Sequence, residues 1–303
     1  MRRAPFVDEA DLAAATLFAP LALSPGERPL TTADWRRLGC RLPGRTGPAP
    51  AWAADRMDSR RDAVTVELEA LARRGIRVLT VAHGRYPTRL LERLGERAPA
   101  ALFVAGDPSL LLAEGVAIVG SRDVHAAGAD AAAALGRVAA ADHLAVFSGG
   151  ARGVDRAAMA AALKAGGAAI GVLAGALDRS LQAGDTRRVV EAGQLTLVCT
   201  YHPCAPFTVA GALARNRLIY GLAASAIVVT SSPVGGGTRR GALEALRNGS
   251  APVYALDGLE GGAGNRDLIG RGARPLPLDA LMREQSLRRI LESLTTAGRG
   301  ALL

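Results

Sequence analysis

The chain has 303 residues, of which 49% are hydrophobic and 21% are charged, and this composition excludes a largely disordered protein. Its 37 basic residues outnumber its 28 acidic residues, which gives a formal net charge of +9. Lys164 is the only lysine, so arginine supplies almost all of the positive charge. Because arginine binds phosphate and carboxylate groups bidentately, an anionic partner is favoured over a neutral one.

Other features of the sequence exclude further classes of protein. The cysteines, Cys40, Cys199 and Cys204, and the four histidines fall at no spacing typical of a metal site. No apolar stretch of about 18 residues runs without Gly, Pro or Ser, as a membrane helix would require. We therefore predict a cytoplasmic protein with reduced thiols, with no metal, no cofactor and no membrane span.

The first part of the chain is rich in helical patterns. We predict three helices, over residues 9–18, 32–41 and 56–74. Short apolar runs predict two strands after them, at residues 76–81 and 101–104. Residues 1–74 are therefore interpreted as a small α-rich N-terminal unit.

From residue 116 onward, short apolar runs alternate with helical patterns. The predicted strands are residues 116–119, 144–147, 170–173, 195–199, 226–230 and 253–256. The predicted helices between them are residues 125–141, 155–165, 187–192, 215–223 and 238–248. Strands that are apolar throughout and separated by helices are typical of a parallel sheet covered on both faces. The sequence therefore predicts an α/β fold, a doubly wound and mostly parallel Rossmann-like sheet, over residues 75–281, with a basic helix or tail at residues 282–303.

Glycine, hydroxyl and arginine residues follow the predicted strands or occupy the helix before one of them. They are Gly120, Ser121, Arg122, Ser148, Gly149, Gly150, Arg152, Gly153, Arg215, Asn216, Arg217, Gly236, Gly237 and Thr238. Ligands in such sheets bind beyond the carboxyl ends of the strands, and glycine lets backbone N–H groups approach an anion. We predict that these residues form a phosphate-binding rim. The alternative is that the turns need glycine only for a positive φ angle.

The glycine-rich turns match no standard nucleotide fingerprint. The sequence contains no G-x-x-x-x-G-K-[ST] motif, no G-x-G-x-x-G motif followed by an acidic residue, and no G-x-S-x-G nucleophile turn. We predict no catalytic residue. Asp155 is interpreted as a helix N-cap, and Glu244 as an ion-paired or solvated carboxylate, with a general acid or base as the less favoured alternative.

Five motifs, taken together and in this order, resemble the DNA-processing protein DprA (Smf) family. The motifs are residues 119–122, 148–155, 214–222, 236–238 and 265–269. Segments at residues 75–80, 86–91 and 101–106 also resemble the part of that family that precedes its Rossmann-like core. The resemblance covers about residues 60–280.

The resemblance implies a protein that binds single-stranded DNA, forms a homodimer and loads the RecA recombinase during natural transformation, without catalysis. The residues themselves predict only the anionic ligand. We expect self-association through the later edge of the sheet and its helices. Arg122 and Arg217 are expected to flank one groove, whereas Arg239 and Arg288 are expected to be exposed charges outside it.

Several positions depart from the family pattern. Met159 stands where family members commonly have histidine, and residues 212–217 lack the Phe-Pro that usually precedes the Arg-Asn-Arg run. The turn at residues 235–238 is similar to that of the LOG (lysine-decarboxylase-like) nucleotide hydrolases, with Glu244 as the downstream acid. We expect no winged helix after residue 281. A nucleotide-binding or nucleotide-hydrolysing enzyme, and a divergent regulator in phage defence or a toxin system, therefore stay open as alternatives.

Overall fold

The computed structural model describes residues 28–37, 62, 64–260, 262–283 and 286–300. The chain divides into two compact units, one formed by residues 1–112 and 173–211 and the other by residues 113–172 and 212–303. The predicted helix at residues 9–18 lies outside the described residues. The domain boundaries predicted after residues 74 and 281 stay a prediction.

The described residues form nine strands. In chain order they are β1 (Ile76–Thr80), β2 (Ala101–Ala105), β3 (Gly115–Val119), β4 (Ala145–Ser148), β5 (Ala169–Leu173), β6 (Leu195–Cys199), β7 (Ser225–Val228), β8 (Val253–Asp257) and β9 (Arg274–Pro277). Most of them begin and end within one or two residues of the predicted apolar runs. Strand β9 was not predicted, because the prolines at 275 and 277 are typical of a loop.

The first unit contains the antiparallel strands β1, β2 and β6. Val78 pairs with Phe103, and Phe103 in turn pairs with Cys199, so β2 lies between the other two strands. The antiparallel pairing of β6 with β2 agrees with a sheet that the sequence predicts to be mostly, and not entirely, parallel. The unit's helices are Thr32–Arg37, 64–73, Thr88–Leu94, Leu177–Gln182 and Gly184–Glu191, with short 3-10 turns at Gly95–Arg97 and Pro108–Leu112.

The second unit contains six strands in the order β5-β4-β3-β7-β8-β9, and each of these strands pairs with its neighbours in parallel. This arrangement confirms the predicted doubly wound sheet. The helices are Ala126–Ala141, Val154–Lys164, Val209–Leu222, Gly237–Asn248, Ala263–Gly270, Leu278–Arg283 and Leu287–Gly300. The interior of the sheet is apolar, because Ile118, Val146, Phe147 and Ile227 are fully buried.

Small residues let the helices Ala126–Ala141 and Val154–Lys164 pack closely. A Cβ atom built on Gly136 would lie 2.2 Å from the carbonyl oxygen of Ala158, so the two backbones touch at this point. Ala132, Ala139, Ala158 and Ala162 are fully buried in the same pair of helices. The low aromatic and high alanine content of the sequence therefore reflects a core built from close backbone approaches.

Candidate functional site

Strand β3 marks the point at which the strand order of the second unit reverses. It pairs with β4 on one side and with β7 on the other, and both pairings are parallel. The connections that leave the carboxyl ends of β3 and β7 therefore diverge, and a crevice opens between them. We call this the switch-point crevice.

The turn after β3 contacts the turns after β4 and β7. The backbone N–H of Val154 donates a hydrogen bond to the carbonyl oxygen of Ser121 at 3.3 Å, and the N–H of Ser121 donates to Thr230 Oγ1 at 3.2 Å. Thr238 Oγ1 donates to the carbonyl oxygen of Gly120 at 2.9 Å. The structure thus brings three of the predicted glycine-rich turns together at one end of the sheet.

Glycine is required at several of these contacts. A Cβ atom on Gly153, which has a φ of +85°, would lie 2.4 Å from the carbonyl oxygen of Ser121. A Cβ atom on Gly120 would lie 2.5 Å from Val154 Cγ2. Gly153 combines a positive φ angle with a close backbone approach, whereas Gly120 is required only because Val154 packs against it. Anion binding by these turns stays a prediction.

The buried carboxylate of Asp155 holds the turn after β4 in place. Gly149 donates its N–H to Asp155 Oδ2 at 3.0 Å, and Ser148 Oγ donates to the carbonyl oxygen of Ile118 at 2.6 Å. Burial raises the pKa of Asp155, while the charge of Arg215 and hydrogen bonds from backbone N–H groups act in the opposite direction. Gly153, not Asp155, occupies the N-cap of the helix Val154–Lys164, which corrects the predicted cap.

Arg215 lies inside the second unit, although the sequence placed it on the rim. Its side chain is only 6% exposed, and Nη1 donates to the carbonyl oxygen of Val172 at 3.0 Å. The guanidinium also lies against Gly149 and close enough to Asp155 to influence its pKa. Arg215 therefore supports the turn after β4 from within.

The neighbours of Arg215 on its helix have different surroundings. Asn216 Nδ2 donates to the carbonyl oxygen of Gly237 at 3.1 Å, which ties the helix to the glycine turn after β7. Arg217 is exposed, and its Nε donates to the half-buried carboxylate of Glu244. The ion-paired interpretation of Glu244 therefore agrees with the contacts. Arg217 does not line the switch-point crevice.

Two arginines of the predicted rim are exposed near the crevice. Arg122 follows directly after Ser121, and Arg152 donates from Nη2 to Asp123 Oδ1. The side chains of Arg152 and Asp123 are 73% and 86% exposed, so this ion pair is open to solvent. Because Asp123 lines the crevice, its ion pair brings Arg152 to the edge of that space.

The crevice itself has a volume of about 190 Å³. It is lined by Ser121, Asp123, Val124, His125, Val229, Thr230, Ser231, Ser232, Leu259, Glu260, Gly262 and Asn265. The space is smaller than the roughly 300–1,000 Å³ of a typical small-molecule pocket, and it suits one phosphate or part of one nucleotide. Its polar groups are hydroxyls, the imidazole of His125, the amide of Asn265 and the carboxylates of Asp123 and Glu260.

Of the predicted site residues only Ser121 lines the crevice, and the other eleven lining residues, among them His125 and Asn265, were not predicted. His125 caps the helix Ala126–Ala141, because its Nδ1 accepts a hydrogen bond from Gly128 N at 3.2 Å. Asn265 is buried, and its amide group donates to the carbonyl oxygens of Val229 and Leu256, both at 2.9 Å. His125 is the first residue of a predicted helix, and that position was a usable signal for a cap. The contacts of Asn265 join distant segments, which no local pattern reveals.

The turn after β7 leads into the helix Gly237–Asn248 through exposed glycines. Gly235 and Gly236 have φ angles of +69° and +81°, and Gly236 is the N-cap residue. Because glycine has no side chain, the cap leaves the first N–H groups of the helix open to a ligand. Such a helix end attracts anions.

Among the described residues there is neither a candidate metal cluster nor a candidate membrane span. In that part of the chain, no three or more His, Cys, Asp or Glu side chains cluster as a metal ion would require. No described helix is both long and apolar enough to span a membrane. The switch-point crevice offers hydroxyl groups to a ligand and lies beside Arg122 and Arg152, and its lining also contains the carboxylates of Asp123 and Glu260.

Comparisons with known proteins agree with this arrangement. Residues 77–285 match the family model described as DNA recombination-mediator protein A. A Mycobacterium tuberculosis protein assigned as a DNA processing protein DprA is 30% identical over 280 residues, which cover 79% of this chain and 70% of that protein. The X-ray structure of DNA processing protein A from Streptococcus pneumoniae superposes with a TM-score of 0.64 and 25% identity, over 95% of this chain and 93% of that one. A Helicobacter pylori DNA processing protein A, described for its single-stranded DNA binding mode, has the same fold, with a TM-score of 0.56, 22% identity, and coverage of 74% and 96% of the two chains.

Proposed function

The chain belongs to the DNA recombination-mediator protein A family, and from this premise we propose that it binds single-stranded DNA at the switch-point crevice and acts in DNA recombination without catalysis. The observation that carries the proposal is the contact of three glycine-rich turns, two of which contain the exposed Arg122 and Arg152. Backbone N–H groups and guanidinium groups are the usual partners of DNA phosphates.

The size of the crevice favours a single strand over a duplex. About 190 Å³ admits one phosphate or part of one nucleotide, but not the width of a double helix. The Helicobacter pylori protein of the same fold is described for binding single-stranded DNA, and this supports the same ligand here. Phosphate contacts make no demand on base sequence, so we expect binding to be largely independent of sequence.

A salt-dependent titration tests the proposal. Fluorescence anisotropy of a labelled oligothymidylate is measured at about 50 mM and about 200 mM salt, with nucleoside monophosphates as competitors. We expect tight binding at low salt that weakens steeply at higher salt, because phosphate contacts release counterions. Absence of binding at low salt, or complete displacement by a mononucleotide at modest excess, would contradict the proposal.

We further infer that the chain acts as a homodimer in the cytoplasm and helps a RecA-type recombinase to load on DNA. The family resemblance supports these partners. Sedimentation at tens of micromolar protein tests the dimer, and a monomer at that concentration would count against it. Recombinase assembly on DNA coated with single-strand-binding protein, measured with and without this chain, tests the loading role.

A nucleotide hydrolase is the second candidate, and the turn with Gly235, Gly236 and Gly237 favours it. Glu244 would be the acid, but its engagement with Arg217 makes this role less favoured. Incubation with nucleoside monophosphates, followed by chromatography for free base, separates the two functions. Release of base that is lost in Glu244→Gln would establish the hydrolase.

A further inference from the structure

A second basic surface lies on the helix Gly237–Asn248, outside the switch-point crevice. It is a groove of about 840 Å³ that is lined by four arginines, Arg239, Arg240, Arg247 and Arg271. Leu243 and Leu246 add apolar surface between them. We call it the arginine groove. No carboxylate is among the described residues that line it.

The spacing of residues along the helix explains why the groove forms. Gly241, Ala242 and Ala245 are buried against the rest of the unit. The long side chains lie on the remaining face, where residues three, four or seven positions apart are neighbours. Arg240 and Arg247 are separated by seven residues, which is about 10.5 Å along the helix axis. Both are exposed to solvent.

One nearby carboxylate orients two of the four arginines. Asp267 accepts hydrogen bonds from Arg239 Nη2 at 2.7 Å and from Arg271 Nε at 2.9 Å. These contacts with Arg271 and Arg239 hold the pKa of Asp267 below its usual value. This one carboxylate pairs with two of the four guanidinium groups, so the groove keeps an excess of positive charge.

The arginine groove is next to the proposed DNA site along the chain. Ser231 and Ser232 line the switch-point crevice, and Gly235 and Gly236, a few residues later in the same connection, border the groove. The exposed glycine turn between them leaves room for a strand to pass, because it carries no side chain larger than the exposed Val234. A polyanion that leaves the crevice across this turn would therefore enter the groove.

We propose that the arginine groove is a second binding segment for the phosphate backbone of single-stranded DNA, continuous with the switch-point crevice across Gly235 and Gly236. The inference rests on the proposed function and extends its site. Arg240 and Arg247 contact phosphates, Arg239 and Arg271 are held in place by Asp267, and the leucines offer apolar surface to sugars and bases. The segment adds affinity only to strands long enough to occupy both places.

The test compares strands of two lengths. Binding of oligothymidylates of about 6 and about 16 nucleotides is measured for the wild type, for Arg240→Ala/Arg247→Ala, and for the control Arg137→Ala/Arg289→Ala. The control removes two exposed arginines that line neither the groove nor the crevice. Thermal unfolding confirms that all three proteins are folded.

We expect the groove variant to bind the longer strand about tenfold or more weakly and the shorter strand unchanged. The slope of log affinity against log salt for the longer strand should fall by about 1.4, because about two phosphate contacts are lost. If the groove variant loses equal affinity for both lengths, or if the control loses as much, the groove is not a defined binding segment. General attraction to surface charge would then explain the binding. If DNA affinity does not depend on strand length, and polyglutamate binds the wild type but not the groove variant, the groove would be a site for an acidic protein instead.

The outcomes also separate the groove from the function on which it rests. If the wild type binds the short strand and binds the long strand no more tightly, only the proposal of the arginine groove is contradicted. A wild-type protein that binds neither strand overturns the proposed function as well.

Discussion

The guanidinium of Arg215 occupies the space in which any side chain on residue 149 would lie. A Cβ atom built on Gly149 would be 1.3 Å from Arg215 Nη1, far inside van der Waals contact. The same guanidinium donates to the carbonyl oxygen of Val172. The turn after β4 and the helix Val209–Leu222 are therefore matched to each other by one glycine and one buried arginine.

Gly149→Ala should destabilise the fold because the new methyl group displaces Arg215 from its hydrogen bond. We expect a loss of about 1–3 kcal/mol in the free energy of unfolding, the range for an overpacked core position. Urea unfolding measures it. Gly270→Ala is the matched control, since nothing lies within 4 Å of its added Cβ, and it should be neutral or slightly stabilising. Similar midpoints for the two variants would contradict the packing argument.

Arg122→Ala should weaken single-stranded DNA binding by about 1–3 kcal/mol, as expected for the loss of a charge-assisted hydrogen bond to phosphate. Arg137→Ala removes an equally exposed charge from the helix Ala126–Ala141 and should cost much less. Arg239, which the sequence analysis treated as an exposed charge, is a poor control. Its side chain is only 19% exposed and is paired with Asp267. Equal effects of Arg122→Ala and Arg137→Ala would argue against a defined crevice.

Asp123→Asn should strengthen DNA binding. Asp123 lines the crevice and accepts a hydrogen bond from Arg152, so it both repels phosphate and competes for the arginine. The pair is solvent-exposed, and we expect a modest gain of about 0.2–1 kcal/mol. Anisotropy titration at low salt measures it, and Asp130→Asn, on an exposed part of the helix Ala126–Ala141, is the charge-matched control. Weaker binding by Asp123→Asn would show that the carboxylate holds Arg152 in its binding position.

The first unit should lose stability as the pH falls below the ordinary histidine range. Burial lowers the pKa of His202 below 6.5, and the positive charge of Arg74 lowers it further. Glu67 raises this pKa, but its effect is smaller than that of burial. The Nδ1 atom of His202 accepts a hydrogen bond from Cys204 N at 3.2 Å, and protonation of Nδ1 would break this bond. Asp178 also faces the ring and favours its charged form. Since the unfolded chain binds the proton more readily, the stabilisation is present above about pH 6.5 and is lost as the pH falls through the lowered value.

Thermal unfolding between about pH 8 and about pH 5 tests this dependence. The melting temperature of the wild type should fall over that range, and His202→Gln should flatten the part of the curve due to this group. His143 is exposed, and His143→Gln should keep the wild-type profile. A profile unchanged by His202→Gln would contradict the assignment.

Local patterns were enough to predict the second unit's sheet, but they were not enough to orient its arginines. The apolar runs identified most of the strands, and the five-motif resemblance is confirmed by the family match over residues 77–285. Arg215 and Arg217 were both predicted on the rim, although they are two residues apart on one helix. That spacing turns their side chains about 200° from each other, so both cannot face one groove.

Contacts between distant segments account for the rest of what the sequence did not reveal. The amide of Asn265 reaches β7 and β8, and Asp267 pairs with Arg239 on another helix. The antiparallel partner of β6 is likewise set by a strand more than 90 residues earlier, since Phe103 pairs with Cys199. None of these partners is encoded in the periodicity of its own segment.

Strand β9, the last in the strand order, carries Pro275 and Pro277 two positions apart. Backbone N–H groups alternate between the two sides of a strand, so both missing donors belong to one side, and in a paired strand that side faces away from the partner. The free side of β9 thus has few hydrogen-bond donors to offer another strand. Two copies of the chain that meet near this edge would therefore join through side chains and helices. A continuous backbone ladder between their sheets would lack hydrogen-bond donors at Pro275 and Pro277.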